Sequence, residues 1–335
     1  MEKIKWGILG TAKIACEKVI PAMQKSKISE VYAIASRTNN HAEYARQRLN
    51  IPFAYTTYES LLQNKDIQAV YIPLPNHLHV EWIIKALEAG KHVLCEKPMA
   101  LSVEDVQRIV KISHEKGLKV AEAFMVKTHP QWIRTKELIN EGKIGKLKNI
   151  QGFFSYYHDD LENIRYKYKK GGGAMWDIGC YPVFTSRFIF GEEPLRVIAL
   201  MEYEKQTGVD ILASAIMEFF SGQASFSIGT QLAPHQKMQF FGTEKMLEIK
   251  IPFNAPPDED IEIHLTAGDL FAKDLEIIKI PAIDQYTIQA DEFSKAILNN
   301  TDVAVSLDNS LKNTAVMEAL FKSAKSGKWE KPEQV

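Results

Sequence analysis

Gly90-Lys91-His92-Val93-Leu94-Cys95-Glu96-Lys97-Pro98 reads as a buried strand that stops on a charged pair and a proline. His92, Val93, Leu94 and Cys95 suit a short β run, and Pro98 has no N–H to donate to a ladder, so the strand ends at or just before it. In an open α/β sheet, ligands bind beyond the carboxyl ends of the strands, which puts Lys97 where a small molecule and a cofactor meet. The competing reading of Glu96-Lys97 is a plain solvated turn, and the rest of the chain decides between the two.

Toward the start, residues 4–9 read as a first strand directly after Met1-Glu2-Lys3, with no charged leader followed by a cleavable apolar segment. Gly10-Thr11-Ala12-Lys13-Ile14-Ala15 then stands where a phosphate-binding turn belongs, and Ile14, Val19, Ala22 and Met23 continue it with helical spacing. Of the pattern G-x-G-x-x-G only Gly10 is kept. Ala15 in the third place still permits close helix packing, and Ala12 in the second lets the backbone approach a pyrophosphate slightly less closely. The second strand, residues 30–35, ends at Ser36-Arg37-Thr38-Asn39, where an adenine ribose should lie. An acidic side chain here would accept hydrogen bonds from a ribose 2′-hydroxyl; a serine followed by arginine suits a 2′-phosphate, with Arg37 supplying the charge. Gly10, Thr11, Ala12, Ser36 and Arg37 are the expected dinucleotide contacts, and NADP is expected over NAD.

Residues 58–64 look helical, residues 69–72 form a fourth strand, and Pro73-Leu74-Pro75-Asn76-His77-Leu78-His79 is its exit loop. A helix over 81–89 then returns the chain to the opening stretch. Pro73, Asn76 and His77 are placed beside a nicotinamide ribose, with His79 as an alternative cap for the helix. His77 and His79 are two apart, not the i,i+4 pair that puts two ligands on one helix face, so no metal is expected. After Pro98, Ser102 opens a helix with Val103, Val106, Ile109, Val110 and Ile112 as its apolar face, and residues 118–123 give the next strand.

Beyond Glu122 the pattern changes. A helix over 131–140 precedes short strand-like segments at 149–156, 196–203, 213–219, 223–230, 237–241 and 246–251, which look like one open, mostly antiparallel sheet. Residues 285–298 and 309–326 read as two final helices, the first with Phe293 and Ile297 on one face. The expected fold class is α/β: a Rossmann dinucleotide-binding domain over 1–122, then an α+β domain over 123–335 for substrate binding and oligomerisation. Its C-terminal helices could pack back on the first domain.

Length and composition agree with this division. A chain of 335 residues suggests about two domains of ~150 residues. With 45% hydrophobic and 25% charged residues it is neither disordered nor membrane-like, and no run reaches the ~18 apolar residues of a spanning helix. Forty-one basic residues balance forty-two acidic ones, which gives no reason to propose nucleic acid or an anionic membrane as partner. Cys16, Cys95 and Cys180 are few, odd in number and widely spaced, which fits a reducing cytoplasm. An open sheet with one uncovered face favours self-association, as a homodimer or larger assembly.

With these residues assembled, the chain resembles the glucose-fructose oxidoreductase/inositol dehydrogenase (Gfo/Idh/MocA) family over nearly its whole length. Three features carry the likeness: the N-terminal dinucleotide turn, Gly90 to Pro98 with Glu96-Lys97-Pro98, and Gly171-Gly172-Gly173-Ala174-Met175-Trp176-Asp177-Ile178-Gly179-Cys180-Tyr181-Pro182. Within the family it is similar to the branch of dimeric dihydrodiol dehydrogenases and NADP-dependent D-xylose dehydrogenases, which carry tyrosine where many members have histidine. The resemblance implies Lys97 and Tyr181 as the catalytic pair, with Asp177 on the same helix as Tyr181, and Glu96 and a cis Lys97-Pro98 bond holding the lysine. It places Lys127 and His129 near nicotinamide and substrate, with Tyr157 and Arg165 reaching substrate hydroxyls and Trp176 flooring the pocket.

The chemistry is consistent with that implication. Hydride transfer from a carbinol carbon needs a partner for the hydroxyl proton and a positive charge where alkoxide character develops. The expected function is an NAD(P)-dependent oxidoreductase acting on a CH–OH group of a sugar, polyol or trans-dihydrodiol. The alternative is a non-catalytic NADP-sensing regulator of the same fold.

Overall fold

Val93 and Cys95 point to one side of a strand and Leu94 to the other, and all three are buried, so the opening stretch lies inside a sheet covered on both faces. The computed structural model describes residues 3–269 and 271–335; Met1 and Glu2, where the expected leaderless start begins, and Leu270 lie outside the described residues. The chain divides into two units, residues 1–125 with 284–311 and residues 126–283 with 312–335.

Among the described residues, the first unit holds a six-stranded sheet made of β1 (Ile4–Leu9), β2 (Ser29–Ala35), β3 (Phe53–Tyr55), β4 (Ala69–Ile72), β5 (His92–Cys95) and β6 (Val120–Glu122). Their order is β3-β2-β1-β4-β5-β6 and every neighbouring pair is parallel. This is the doubly wound dinucleotide-binding order, whose switch point falls between β1 and β4. Trp6, Ile8, Tyr71 and Leu94 fill one face, and Leu9, Val70, Ile72 and Val93 the other. The first face is completed from the far end of the chain. Helix Gln285–Leu298 contributes Ala290 and Phe293, with the Phe293 ring 5.4 Å from Trp6 and the Trp6 indole N–H donating to Ser294 Oγ at 3.2 Å.

Ser102 caps Val103–Lys116 as expected, accepting the Asp105 N–H. The helix after β4 starts at His79, not residue 81, and His79 is its first residue instead of its cap. Helix Asn39–Arg48 and strand β3 were not expected: the helix buries Ala42 and Ala45 in a polar run, and β3 is three residues long.

The second unit holds β7 (Leu147–Tyr157), β8 (Arg196–Tyr203), β9 (Asp210–Glu218), β10 (Gln223–Gly229), β11 (Gln231–Gly242), β12 (Met246–Ile249), β13 (Ile261–Thr266) and β14 (Glu276–Ile280), ordered β14-β13-β12-β11-β7-β10-β9-β8. Neighbours are antiparallel except β7 and β10, which the chain joins by a long crossover through helix Cys180–Phe190 and the β8–β9 hairpin. Strand alternation gives the sheet one apolar face, with Ile150, Phe154, Ala215, Met217, Phe226 and Ile228 buried, and one mixed face bearing Leu200, Ser214, Ile216, Ser225 and Ser227. Helix Cys180–Phe190 packs on the apolar face, with Tyr181 against Phe154.

Candidate active site

In the first unit, Gly10 follows β1 at φ +122°, donating its N–H to Ala35 O at 2.9 Å. A Cβ here would lie 3.1 Å from Leu74 Cδ2 and 3.8 Å from the Tyr58 hydroxyl, so conformation and space both call for glycine. Thr11 and Ala12 follow, partly exposed, and the Ala12 carbonyl accepts the Cys16 N–H at 3.0 Å, so the helix starts at once. It passes through a π turn at Ala15–Val19 before continuing as Ile20–Gln24. At the end of β2, Ser36 is buried and Arg37 exposed; burial raises the Tyr58 hydroxyl pKa while the Arg37 guanidinium pulls it down.

At the end of β4, Pro73 is buried, Asn76 half-buried and His77 exposed. His79 points inward, its ring nitrogens 2.8 Å from Pro98 O and 2.7 Å from Leu74 O, and burial lowers its pKa to about 4. It thereby ties the loop after β4 to the loop after β5. There the Lys97-Pro98 peptide is cis, as the resemblance implies. Glu96 accepts the Tyr71 hydroxyl at 2.5 Å, and buried Glu122 accepts the Met99 N–H at 2.8 Å. Gly10, Thr11, Ala12, Ser36, Arg37, Pro73, Asn76, His77, Glu96 and Lys97 thus gather at the carboxyl ends of β2, β1, β4 and β5, four adjacent strands around the switch point. His79 and Glu122, which hold the backbone just after Lys97, at Pro98 and Met99, carry no motif signal as site residues.

In the second unit, Asp177 sits in a π turn, Met175–Gly179, that runs into helix Cys180–Phe190 with Tyr181 in its first turn. π turns of this kind are frequent at functional sites. Asp177 Oδ2 accepts the Arg165 Nε–H at 2.8 Å and the Tyr156 hydroxyl at 2.5 Å. Burial and then the Asp177 charge hold the Tyr156 phenol far above its usual range, and Asp177 raises Arg165 likewise. The Tyr181 ring lies against Phe253, 5.2 Å between centroids, and Phe154, 6.0 Å.

The other expected substrate residues each have neighbours of their own. Lys127 stands over the Phe188 ring at 3.8 Å, its amine brought down to about 8 by burial and then by Lys136. His129 is buried as the cap of helix Pro130–Asn140, and burial lowers its pKa to about 4. The Trp176 ring lies 5.1 Å from Phe321. Tyr157 is 62% exposed, its hydroxyl donating to Asp159 at 3.2 Å. Its neighbour Tyr156 is the one that meets Asp177 and Arg165. Alternation along β7 could have revealed it, because Tyr156 lies two residues from Phe154 on the same face.

The description "Oxidoreductase family, NAD-binding Rossmann fold" matches residues 4–124, and the GFO/IDH/MocA C-terminal domain matches residues 132–248. The chain is 42% identical over 332 residues to an uncharacterized oxidoreductase, ORF334, of Rhizobium meliloti, covering 98% of this chain and 99% of that one. It is 33% identical over 327 residues to a D-xylose 1-dehydrogenase (NADP(+)) of Haloferax volcanii, covering 96% and 98%. Among solved structures it is similar to a 3-ketoreductase from Actinomadura kijaniata in complex with NADP and TDP-benzene, with TM-score 0.90 and 30% identity, covering 96% of this chain and 98% of that one.

Proposed function

The chain belongs to the GFO/IDH/MocA oxidoreductase family, and we propose that it transfers a hydride between NADP and the hydroxyl- or carbonyl-bearing carbon of a sugar, polyol or trans-dihydrodiol. The observation that carries this reading is the gathering of Gly10, Ser36, Arg37, Asn76 and Lys97 at the carboxyl ends of four adjacent parallel strands. The turn at Gly10 fits a dinucleotide: the glycine adds no side chain of its own at φ +122°, and the helix opens directly after it, with Ala12 O accepting the Cys16 N–H. Ser36 and Arg37 would hold the 2′-phosphate, and Pro73, Asn76, His77 and Glu96 the nicotinamide ribose. Bound NADP supplies the ring carbon that gives or takes the hydride. Relatives named as an NADP(+) dehydrogenase and as a ketoreductase solved with NADP favour this cofactor, and catalysis over mere sensing.

Two groups of the chain serve the proton. Lys97 supplies positive charge that favours alkoxide on the substrate oxygen. A phenol near pKa ~10 is by itself a poor base at neutral pH. Tyr181 exchanges the hydroxyl proton. Asp177, fixed by Arg165 and Tyr156, orients substrate hydroxyls, with Lys127, Arg165 and Trp176 as further contacts. The test follows NADPH absorbance across sugars, polyols and dihydrodiols for the native chain, Lys97→Met and Tyr181→Phe. Each variant is expected to lose ~10³-fold or more in kcat; full turnover by Lys97→Met would sink the mechanism. The second unit's mixed sheet face is proposed to pair two copies, and the three buried cysteines Cys16, Cys95 and Cys180 suit a reducing cytoplasm.

A further inference from the structure

Asp210 opens β9 with only 3% of its surface exposed. One carboxylate oxygen accepts the Met175 N–H at 2.5 Å. The other lies over Gly173: a Cβ built there would fall 2.1 Å from Asp210 Oδ1. The missing side chain at Gly173 is therefore the space that the carboxylate occupies.

Met175 stands at the amino end of the helix that carries Asp177 and Tyr181. The first backbone bond of that helix runs from the Asp177 N–H to Gly173 O at 3.0 Å, which makes Gly173 its capping position. Helices usually take Ser, Thr, Asp or Asn there, whose side chain accepts an early N–H. Glycine has none, and here the acceptor comes from another strand, as a charged group that also complements the helix dipole. The same turn holds the Arg165 loop. The Gly173 N–H donates to Arg165 O at 2.9 Å, and a Cβ at Gly172 would fall 2.4 Å from that oxygen. Arg165 in turn pairs with Asp177 at 2.8 Å.

A serine could cap the helix without burying a charge, whereas a buried carboxylate is costly. Burial pushes the Asp210 carboxyl up to about 6, and the Asp177 charge adds to that. The titratable groups facing it are Asp177 from the helix and Tyr203 from β8. We infer that Asp210 is a positioning residue for the proposed reaction: it fixes the amino end of the Asp177 and Tyr181 helix and, through the glycine run 171–173, the Arg165 loop. This rests on the reading of Asp177 and Tyr181 as active-site groups.

The test compares Asp210→Asn, Asp210→Ala, Lys97→Met and Tyr181→Phe with the native chain by two readouts: hydrogen exchange of the segment 165–181, and kcat and KM for NADP-linked turnover from pH 5 to 8. Asp210→Ala should speed exchange in that segment by ~10-fold or more and leave the Rossmann strands protected. It should lower kcat by ~10 to 100-fold with little change in KM for NADP. Asp210→Asn keeps an acceptor, so it should retain kcat within ~3-fold at pH 8. It should also lose the fall in kcat, of up to ~3-fold, expected of the native chain below pH ~6, where the carboxylate takes up a proton and accepts less strongly. Unchanged exchange in Asp210→Ala, or an acid limb that persists in Asp210→Asn, overturns the inference. Faster exchange with native turnover leaves a structural cap only and also overturns it. If Lys97→Met and Tyr181→Phe turn over normally while Asp210→Ala shows both effects, the reading of the catalytic pair falls and the role of Asp210 stands.

Discussion

Arg37 is the residue proposed to decide cofactor choice. It is exposed at the end of β2, beside a buried Ser36 and near the Tyr58 hydroxyl, with no acidic side chain at the ribose position. A charge-assisted contact to phosphate is worth about 1.5–3 kcal/mol, so Arg37→Asp should lower NADP affinity relative to NAD by ~10 to 150-fold. Titration of both cofactors by fluorescence quenching measures the ratio, and a ratio that stays put removes Arg37 from the 2′-phosphate. Arg37, Gly10 and Lys97 were readable because each stands at a fixed offset from a strand end. Asp210, Glu122 and His79 were not: each is an ordinary residue in its local sequence, and only tertiary proximity to Met175, Met99 or Pro98 makes it matter.

The tyrosine pair on β7 shows what an element decides that a residue does not. Successive side chains point to opposite faces, so Tyr156 meets Asp177 and Arg165 while Tyr157 faces outward. Tyr156→Phe removes a bond that orients the Asp177 carboxylate and should lower kcat by ~10-fold at a stability cost of about 1–2 kcal/mol. Tyr157→Phe should match the native chain in both, by steady-state kinetics and thermal melts; the opposite ranking would place the wrong tyrosine at the site. The strands with continuous apolar or alternating runs were readable in the same way. β13 also alternates, burying Ile261, Ile263 and Leu265, but the proline and acidic residues at 256–260 just before it read as loop. The parallel β7–β10 pairing has no local signature, since its partners meet only after a long crossover.

On the scale of the molecule, a partly apolar surface of the second unit is exposed among the described residues. The mixed face of the second sheet exposes Leu200 at 78% and Ile216 at 40%, with Phe220 at 89% beyond the end of β9, next to small polar Ser214, Ser225 and Ser227. The opposite face is filled by phenylalanine, methionine and isoleucine, so the strands are patterned for burial on one side and for a smoother, partly apolar contact on the other. Near-neutral net charge puts little long-range repulsion between copies. An isologous pair of such faces satisfies the exposed leucine and isoleucine at once, because a two-fold axis brings each patch against its own copy. Light scattering at ~10 μM should therefore give a mass of two chains or more. Leu200→Asp should shift it to one chain and lower the melting temperature, because a buried unpaired carboxylate in each half of the interface costs more than the leucine contact it replaces. A native chain that scatters as a monomer at that concentration would leave the face to solvent, and its leucine as one of the scattered apolar side chains any surface carries.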